Sequence, residues 1–416
     1  MQLAKGTRDI APEQKLQLNK VVNTLVAVFE RFGYVPLETP IIERSETLSS
    51  KYAGGEEILK EMFTLKDQGK RELGLRYDLT VPFCRYISMN PELKMPFKRY
   101  AMGKVFRDGP IKLGRYREFW QCDADMVGSK SMRADADIIL LALYAFKELG
   151  FAIEIKINNR KLLNGIMKQA GIKDVEGAIL SLDKLEKFGK DAVVKELNGK
   201  GIGGDAVKKL FLFMVSDLAK LKILITDDEG KEGLAELEEL FSYLGDKACV
   251  FDVSLARGLA YYTGTVYEVY LKKSPIKSSV AAGGRYDNMI GQLLGSKLPF
   301  PALGISFGLD VLADALPSAT QKTTTQLFVI PIGTVKESMK LASFFREKGI
   351  NTDLDVVGRG ISKNLNYVNA KGIPFVVFVG EDELKKGDFK LRDMNSGEEV
   401  FLKKEEVVEK LTSSKQ

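Results

Sequence analysis

Hydrophobic spacing divides the chain into stretches of different period. Near the N-terminus, Leu18, Val22, Leu25, Val26, Phe29 and Phe32 recur at helical spacing and Gly33 closes the run, which predicts an amphipathic helix over residues 12–32. Residues 34–40 (YVPLETP) then read as extended, proline-bounded chain at a sheet edge. Residues 73–80 (LGLRYDLT) alternate, with Leu75, Tyr77 and Leu79 on one face and Arg76, Asp78 and Thr80 on the other. A strand with a polar face is expected there, ahead of a helix with Pro82 in its first turn. Asp78 serving only to cap that helix is the alternative reading.

The longest alternation runs through 105–128, VFRDGPIKLGRYREFWQCDADMVG. Asp108-Gly109-Pro110 is a turn signal and 115–127 reads as extended, so the stretch predicts a hairpin. The even positions Tyr116, Glu118, Trp120, Cys122, Ala124 and Met126 are mostly bulky and apolar and are expected to face a core. The odd positions Arg115, Arg117, Phe119, Gln121, Asp123 and Asp125 place cation, ring, amide and anion in order along the other face. That order suits a groove for a ligand with phosphate at one end and an amine at the other. A solvated strand face with incidental ion pairs is an equally open reading.

Beyond the hairpin, 135–149 is a strongly apolar helix ended by Gly150, and 153–157 a short strand. From 162 to 245 the texture is Lys/Glu-rich and helical, an all-helical insertion whose charge runs read as a solvated face. Strand texture returns over 248–270 and includes LARGLAYYTGTVYEVY. AAGGRYDNMIGQLLG (281–295) pairs glycines, which permit close backbone approach, and PALGISFGLDVL (301–312) places Gly304 and Gly308 before another helix. Residues 317–325 (PSATQKTTT) read as a linker. After it come QLFVIPI, a helix over 336–348, NTDLDV, a helix over 361–371, PFVVFVG, FKLRDM and a helix over 405–411. That alternation predicts a separate α/β domain built on a βαβαβ unit.

Composition narrows the chemistry. A chain of 416 residues is expected to form two or three domains. No apolar run reaches the ~20 residues of a membrane span, and MQLAKGTRDIAPEQ lacks a signal peptide's apolar core, so a cytoplasmic protein without membrane contact is expected. Cys84, Cys122 and Cys249 are scattered and lack CxxC spacing, which argues against a disulfide framework or a zinc site. The net charge of +6 is compatible with a polyanionic partner but discriminates little. The chain contains no histidine. An imidazole general base, a Ser-His-Asp triad and a His-ligated metal are therefore excluded. Catalysis must rest on carboxylates, Arg, Lys, Tyr, a metal with oxygen ligands, or orientation.

Together these stretches resemble the histidyl-tRNA synthetase family of class II aminoacyl-tRNA synthetases, over nearly the whole chain. ARGLAYYTG (256–264) and GGRYD (283–287) look like its two histidine-specific signatures. FRDGPIKLGRYREFWQCDADMVG looks like motif 2, YVPLETPIIE (34–43) like motif 1, and LRYDLTVPF (75–83) like its amino-acid-binding strand. GRGISKNLNYVNAKGIPFVVFVGEDEL (358–384) and LRDMNSGEE (391–399) look like its anticodon-binding domain. The resemblance implies an α/β (α+β) fold with a class II antiparallel-sheet catalytic core in 1–165 and 246–318, a helical insertion in 166–245, and a C-terminal α/β anticodon-binding domain in 325–416. It implies a homodimer joined through motif 1.

The implied reaction uses L-histidine, ATP and tRNA(His). Histidine is first activated as histidyl-adenylate, and the terminal ribose of the tRNA then takes the acyl group. Such chemistry depends on positioning and charge stabilisation, so it needs no histidine base. By the resemblance, Arg107 and Arg257 are the catalytic arginines that grip the α-phosphate. Phe119 stacks on adenine, and Arg115 or Arg117 reaches the outer phosphates. Mg2+ is expected on the phosphates with one or two carboxylates, and no residue set reads as a protein metal site.

Asp78, Thr80 and Gln121 match positions that hold the α-amino group, while Asp125 and Tyr262 match those that read the imidazole. Tyr286 closes that pocket. Tyr261 is counted with it, although alternation points its side chain away from Tyr262 and towards core packing. Arg359, Lys363 and Lys371 are the candidate contacts to anticodon phosphates. Three positions depart from the family pattern: Ala260 stands where an acidic residue is usual, Val311 where motif 3 carries its arginine after Asp310, and Asp108 near a usual Glu.

Two rival functions remain at this point. The regulatory subunit of ATP phosphoribosyltransferase shares the core and senses histidine without catalysis, but it normally lacks the C-terminal domain and the signature residues. A synthetase-like module that binds tRNA without charging it would form no adenylate.

Overall fold

The polar-apolar alternation of the central hairpin builds the middle of a large sheet. We describe residues 1–49, 59–111, 116–245, 248–257, 261–296, 299–317 and 322–413 of a computed structural model, without the side chains of 186 and 187. Chain contacts separate two units. One comprises Met1–Asp9 with Lys20–Ala315, the other Ile10–Asn19 with Leu316–Gln416.

The first unit contains β1 (Val35–Pro36), β2 (Ile42–Arg44), β3 (Thr64–Lys66), β4 (Glu72–Leu75), β5 (Phe97–Phe106), β6 (Glu118–Val127), β7 (Ile153–Asn159), β8 (Cys249–Phe251), β9 (Thr265–Leu271), β10 (Ala281–Arg285) and β11 (Ala302–Gly308). Eight of them form one sheet in the order β1-β5-β6-β11-β10-β9-β7-β8. All pairs are antiparallel except β1 with β5 and β7 with β8. Strands β2, β4 and β3 form a small sheet of their own.

One face of the large sheet packs under residues 20–31 of helix Pro12–Arg31 and under helix Met132–Glu148. Phe29 and Phe146 contribute rings 5.7 and 5.8 Å from that of Phe307, and Tyr100 lies 5.6 Å from Phe29. Each such fully buried ring stabilises the fold by about 1.5–3 kcal/mol. The even residues of β6 join this layer from Cys122 onward. Glu118 and Trp120 are only half-buried, and Glu118 instead pairs with Lys104. The odd residues face the opposite side, where the cavity lies.

The expected strand over 73–80 ends at Leu75, and a helix spans Thr80–Met89. Asp78 Oδ1 accepts the Val81 N–H at 3.0 Å, so Asp78 caps the first turn of that helix as well as lining the cavity. Between β7 and β8 the chain is helical from Arg160–Gln169 to Asp228–Leu244. Glycines let these two helices meet: a Cβ on Gly165 would lie 2.5 Å from Gly230 Cα, and one on Gly233 would lie 2.4 Å from Leu162 N.

In the second unit, β12 (Leu327–Pro331), β13 (Thr352–Leu354), β14 (Phe375–Val379), β15 (Asp388–Asp393) and β16 (Glu399–Lys403) form a sheet in the order β13-β12-β14-β15-β16. The first three strands are parallel, as the βαβαβ reading requires. Strands β15 and β16 extend the sheet antiparallel. Strand β16 and helix Glu381–Lys386 were not anticipated. The short run EVFLK exposes Phe401 and is flanked by charges, so it resembles the start of the helix that follows.

Candidate active site

A cavity of about 300 Å³ opens over the ends of β6, β10 and β11 and the start of helix Thr80–Met89. Its back wall is bare main chain. A Cβ on Gly283 would lie 2.0 Å from Gly304 O, and one on Gly304 would lie 2.0 Å from Asp125 Oδ1. Only glycine fits either position, and the depth of the cavity follows from the missing side chains.

Of the residues singled out in the sequence, Asp78, Thr80, Arg107, Phe119, Gln121, Asp125, Arg257, Tyr261, Tyr262 and Tyr286 all line this cavity. Arg107 follows the last residue of β5. Its Nε donates to Tyr77 O at 3.0 Å and its guanidinium lies 5.2 Å from the Phe119 ring centroid, a cation-π contact. Among the described residues no carboxylate pairs with it. Arg257 occupies left-handed backbone with φ 45°, unusual outside glycine. Its Nη1 bonds Glu268 Oε1 at 2.5 Å, and Tyr270 OH donates to the same carboxylate. Two guanidinium forks thus border one cavity, which suits a phosphate or a carboxylate.

The cavity is also lined by carboxylates: Asp78, Asp123 and Asp125 are all buried. Beneath them lies Arg99, wholly enclosed, with its guanidinium 4.3 Å from the Phe83 ring centroid. Arg99 Nη2 donates to Leu79 O at 3.1 Å and pairs with Asp125 Oδ2 at 2.8 Å. Burial pushes the Asp78 carboxyl up to about 7, against the Val81 N–H and Arg107, which pull it down. Burial likewise pushes Asp125 up to about 6, with Arg99 opposing and Asp123 reinforcing. Asp123 is raised by burial too, opposed by Arg99 and by bonds from Ser306 and Gln121. A cation bound beside them would favour the ionised forms and offset the burial.

Several expectations need correcting. Asp125 already holds two partners, since its Oδ1 takes the Tyr286 hydroxyl at 2.5 Å while Oδ2 faces Arg99, so a ligand would share those oxygens. Tyr261 does not point away from Tyr262. The two rings lie 4.7 Å apart and Tyr261 also stands edge-on to Tyr286 at 6.2 Å. Both precede β9 in a loop, where strand alternation does not apply. Arg117 is absent from the cavity lining; its Nη2 pairs with Asp108 at 2.9 Å and its stem packs on Gly6. Arg115 and Ala260 fall outside the described residues.

In the second unit Arg359 is tied to Asp355 at 3.2 Å and covers the Tyr367 ring at 4.6 Å, while Lys363 and Lys371 are exposed. That leaves the two lysines better placed than Arg359 to meet a phosphate.

Asp123 lines the cavity on the face read for it, though with no role assigned to it beforehand. Two residues near the site escaped the sequence reading: Arg99, and Arg8, which lies outside the cavity lining. Arg8 Nη2 pairs with Asp310 at 2.9 Å and its guanidinium lies 4.2 Å from the Tyr116 ring centroid. Asp310 Oδ2 in turn accepts the Trp120 N–H at 3.0 Å. Beside it, Val311 packs against Gly308, a cavity residue, so a guanidinium stands next to the Val311 position although it comes from the N-terminal segment. No spacing in the sequence marks this contact.

Comparison with known proteins agrees with this geometry. The sequence profile of histidyl-tRNA synthetase matches residues 6–312, and that of an anticodon binding domain matches 326–414. The chain is 45% identical over 412 residues to histidine–tRNA ligase 1 of Bacillus cereus, covering 96% of this chain and 97% of that protein. It is 38% identical over 426 residues to histidine–tRNA ligase of Clostridium tetani, covering 97% and 96%. Its fold matches the crystal structure of histidyl-tRNA synthetase from a Nostoc species at a TM-score of 0.86, with 29% identity and 99% of both chains covered. A Bacillus halodurans structure described as an ATP phosphoribosyltransferase regulatory subunit/histidyl-tRNA synthetase shares the fold at a TM-score of 0.75, with 22% identity over 88% of this chain and 96% of that one.

Proposed function

The chain belongs to the histidyl-tRNA synthetase family and attaches histidine to tRNA, and on that premise we propose how the cavity performs the work. Histidine enters with its ammonium and imidazole towards the cavity carboxylates and its own carboxylate towards the arginines. ATP lies across Phe119. The histidine carboxylate oxygen attacks the α-phosphorus, a new P–O bond forms, and the bond to the departing pyrophosphate breaks. The tRNA's terminal ribose hydroxyl then attacks the acyl carbon and AMP leaves.

Arg107 and Arg257 hold the carboxylate and the α-phosphate in line and meet the charge that develops there. Asp78, Thr80 and Gln121 take the ammonium. Tyr262 and Asp125, the latter braced by Tyr286, take the imidazole, which has one donor and one acceptor nitrogen. An analogue without those nitrogens would leave buried polar groups unpaired, a large penalty. The observation that carries this reading is that one cavity is lined by two guanidiniums, Arg107 and Arg257, and by the buried carboxylates of Asp78, Asp123 and Asp125.

Among the described residues no trio of acidic, Cys or His side chains could cage a metal. Magnesium, when bound, would neutralise phosphate charge and would be held mainly by the phosphates themselves, with a cavity carboxylate as the residue available to it. Lys363 and Lys371 are our candidates for anticodon phosphates. Dimerisation is proposed through the stretch around Val35, Ile41 and Ile42, apolar residues that stand exposed. A cytoplasmic location is consistent with the finding that no helix among the described residues is long and apolar enough to cross a membrane. The match to the anticodon-binding profile favours this reading over the regulatory one.

Histidine-dependent ATP–pyrophosphate exchange tests the proposal, followed by charging of a tRNA(His) transcript. Exchange and charging are expected. Tight histidine binding without exchange would support the regulatory reading instead.

A pH effect follows from the cavity carboxylates. Burial pushes Asp78 up to about 7 and Asp125 up to about 6; only an ionised Asp78 holds the ammonium, and an ionised Asp125 accepts from the imidazole N–H. The KM for histidine is expected to rise as pH falls from 8 to 6, and binding at pH 7 should release protons. Calorimetry in buffers of differing ionisation enthalpy measures that release, and none at all would refute the assignment of these carboxylates.

A further inference from the structure

Gln121 and Asp123 lie two residues apart on β6, so their side chains share the cavity face. Gln121 Nε2 reaches both carboxylate oxygens of Asp123, at 3.0 and 3.2 Å. Both groups are buried and both line the cavity. An ionised carboxylate only accepts hydrogen bonds, whereas an amide can turn either its NH2 or its oxygen towards a partner. Beside Asp123 the amide has one choice: NH2 towards the carboxylate, oxygen towards the cavity. Arg99 and Ser306, the direct partner of Asp123 on β11, favour its charged form against the burial that opposes it.

We propose that Asp123 is a positioning residue that fixes the Gln121 amide with its oxygen facing the substrate, and thereby makes this end of the cavity selective for an α-ammonium group. The inference rests on the placement of the histidine ammonium proposed above. An ammonium has three donors and no acceptor, so it needs Gln121 Oε1 alongside Asp78. An α-hydroxyl offers one donor and can accept from an NH2. With the amide reversed, the ammonium would meet another donor, while a hydroxyl would be accommodated.

The test uses the full-length protein and two substrates: L-histidine and its α-hydroxy analogue, imidazole-lactate. The readout is the ratio of their kcat/KM values in ATP–pyrophosphate exchange. Asp123→Asn preserves shape. The Asn can offer Gln121 either its oxygen or its NH2, so the Gln121 amide is no longer held one way round and can turn its NH2 to the substrate. The preference for histidine is expected to fall roughly ten- to a hundredfold, the worth of a hydrogen bond to a charged group. KM for histidine should rise more than kcat falls.

Adding Gln121→Glu to Asp123→Asn exchanges the roles of the pair. The amide introduced at position 123 then donates to the carboxylate introduced at position 121, an acceptor faces the cavity again, and the preference should return. A purely structural Asp123 would lower both substrates equally. An unchanged ratio in Asp123→Asn, or a double variant that fails to restore it, overturns the inference. Absence of histidine-dependent exchange in the unaltered protein would instead refute the reading of the site, and the inference would fall with it.

Discussion

Replacing Arg257 with Ala is expected to lower histidine-dependent ATP–pyrophosphate exchange by at least about a thousandfold, the scale on which single guanidiniums act in phosphoryl chemistry. The loss should fall mainly on kcat. Arg257 is held by Glu268, and its backbone sits in the left-handed region, so the cavity orients the fork before substrate arrives. Such preorganisation counts most where charge is developing. Two companion variants separate the guanidinium from the backbone. Arg257→Gly relieves the positive φ yet should be as inactive as the alanine variant. Arg257→Lys keeps a charge but not the two-pronged geometry and should recover only part of the rate. Exchange within tenfold of the unaltered protein in Arg257→Ala would remove Arg257 from the chemistry.

The second large effect concerns stability. Arg99→Met is expected to destabilise the first unit by about 3–5 kcal/mol at pH 8, as breaking a buried ion pair does, and to lower its melting temperature by about 10 °C. The substitution preserves apolar bulk against Phe83 but leaves Asp125 and its acidic neighbours without their cation. The deficit should depend on pH in a definite direction. Asp78 and Asp125 titrate above ordinary carboxylates, so their burial weighs little when they are protonated and increasingly as pH rises through 6 and 7. Without Arg99, Asp125 would be pushed higher still. Melting curves of the variant should approach those of the unaltered protein at pH 5 and diverge at pH 8. A constant gap would mean that Arg99 acts through packing alone.

What could be read beforehand was whatever depends on period and on local chemistry. The alternation of 118–127 places Phe119, Gln121, Asp123 and Asp125 on one face because a strand has period two, and that face lines the cavity. The family resemblance supplied Arg107, Arg257 and the tyrosines. Pairing across the sheet was not legible. Lys98 and Arg99 look alike in FKRYAM, and only the register that sets Arg99 opposite Asp125 makes one of them a buried counter-ion. Asp78 misled because LGLRYDLT keeps alternating after its hydrogen bonding has ended, so a helix cap passed for a strand residue. Tyr261 and Tyr262 misled for the converse reason: a strand rule was applied to a loop. Arg8 could not be found from spacing, since 302 residues separate it from Asp310.

That last separation bears on how the protein is made. A chain leaves the ribosome N-terminus first. Arg8, Arg107, Gln121 and Asp125 emerge early, followed by helices from Arg160 to Leu244 that can close on one another. Strand β11, which lies between β6 and β10, arrives only afterwards, and Asp310 after that. Until then β6 has an open edge, and the carboxylates remain in water with ordinary acidities. Closing so long a loop costs little more than closing one half its length, because the entropy grows only logarithmically. The waiting time is thus set by translation. A nascent chain cannot sequester histidine or ATP part-way through its synthesis, because the cavity does not exist until β11 is inserted.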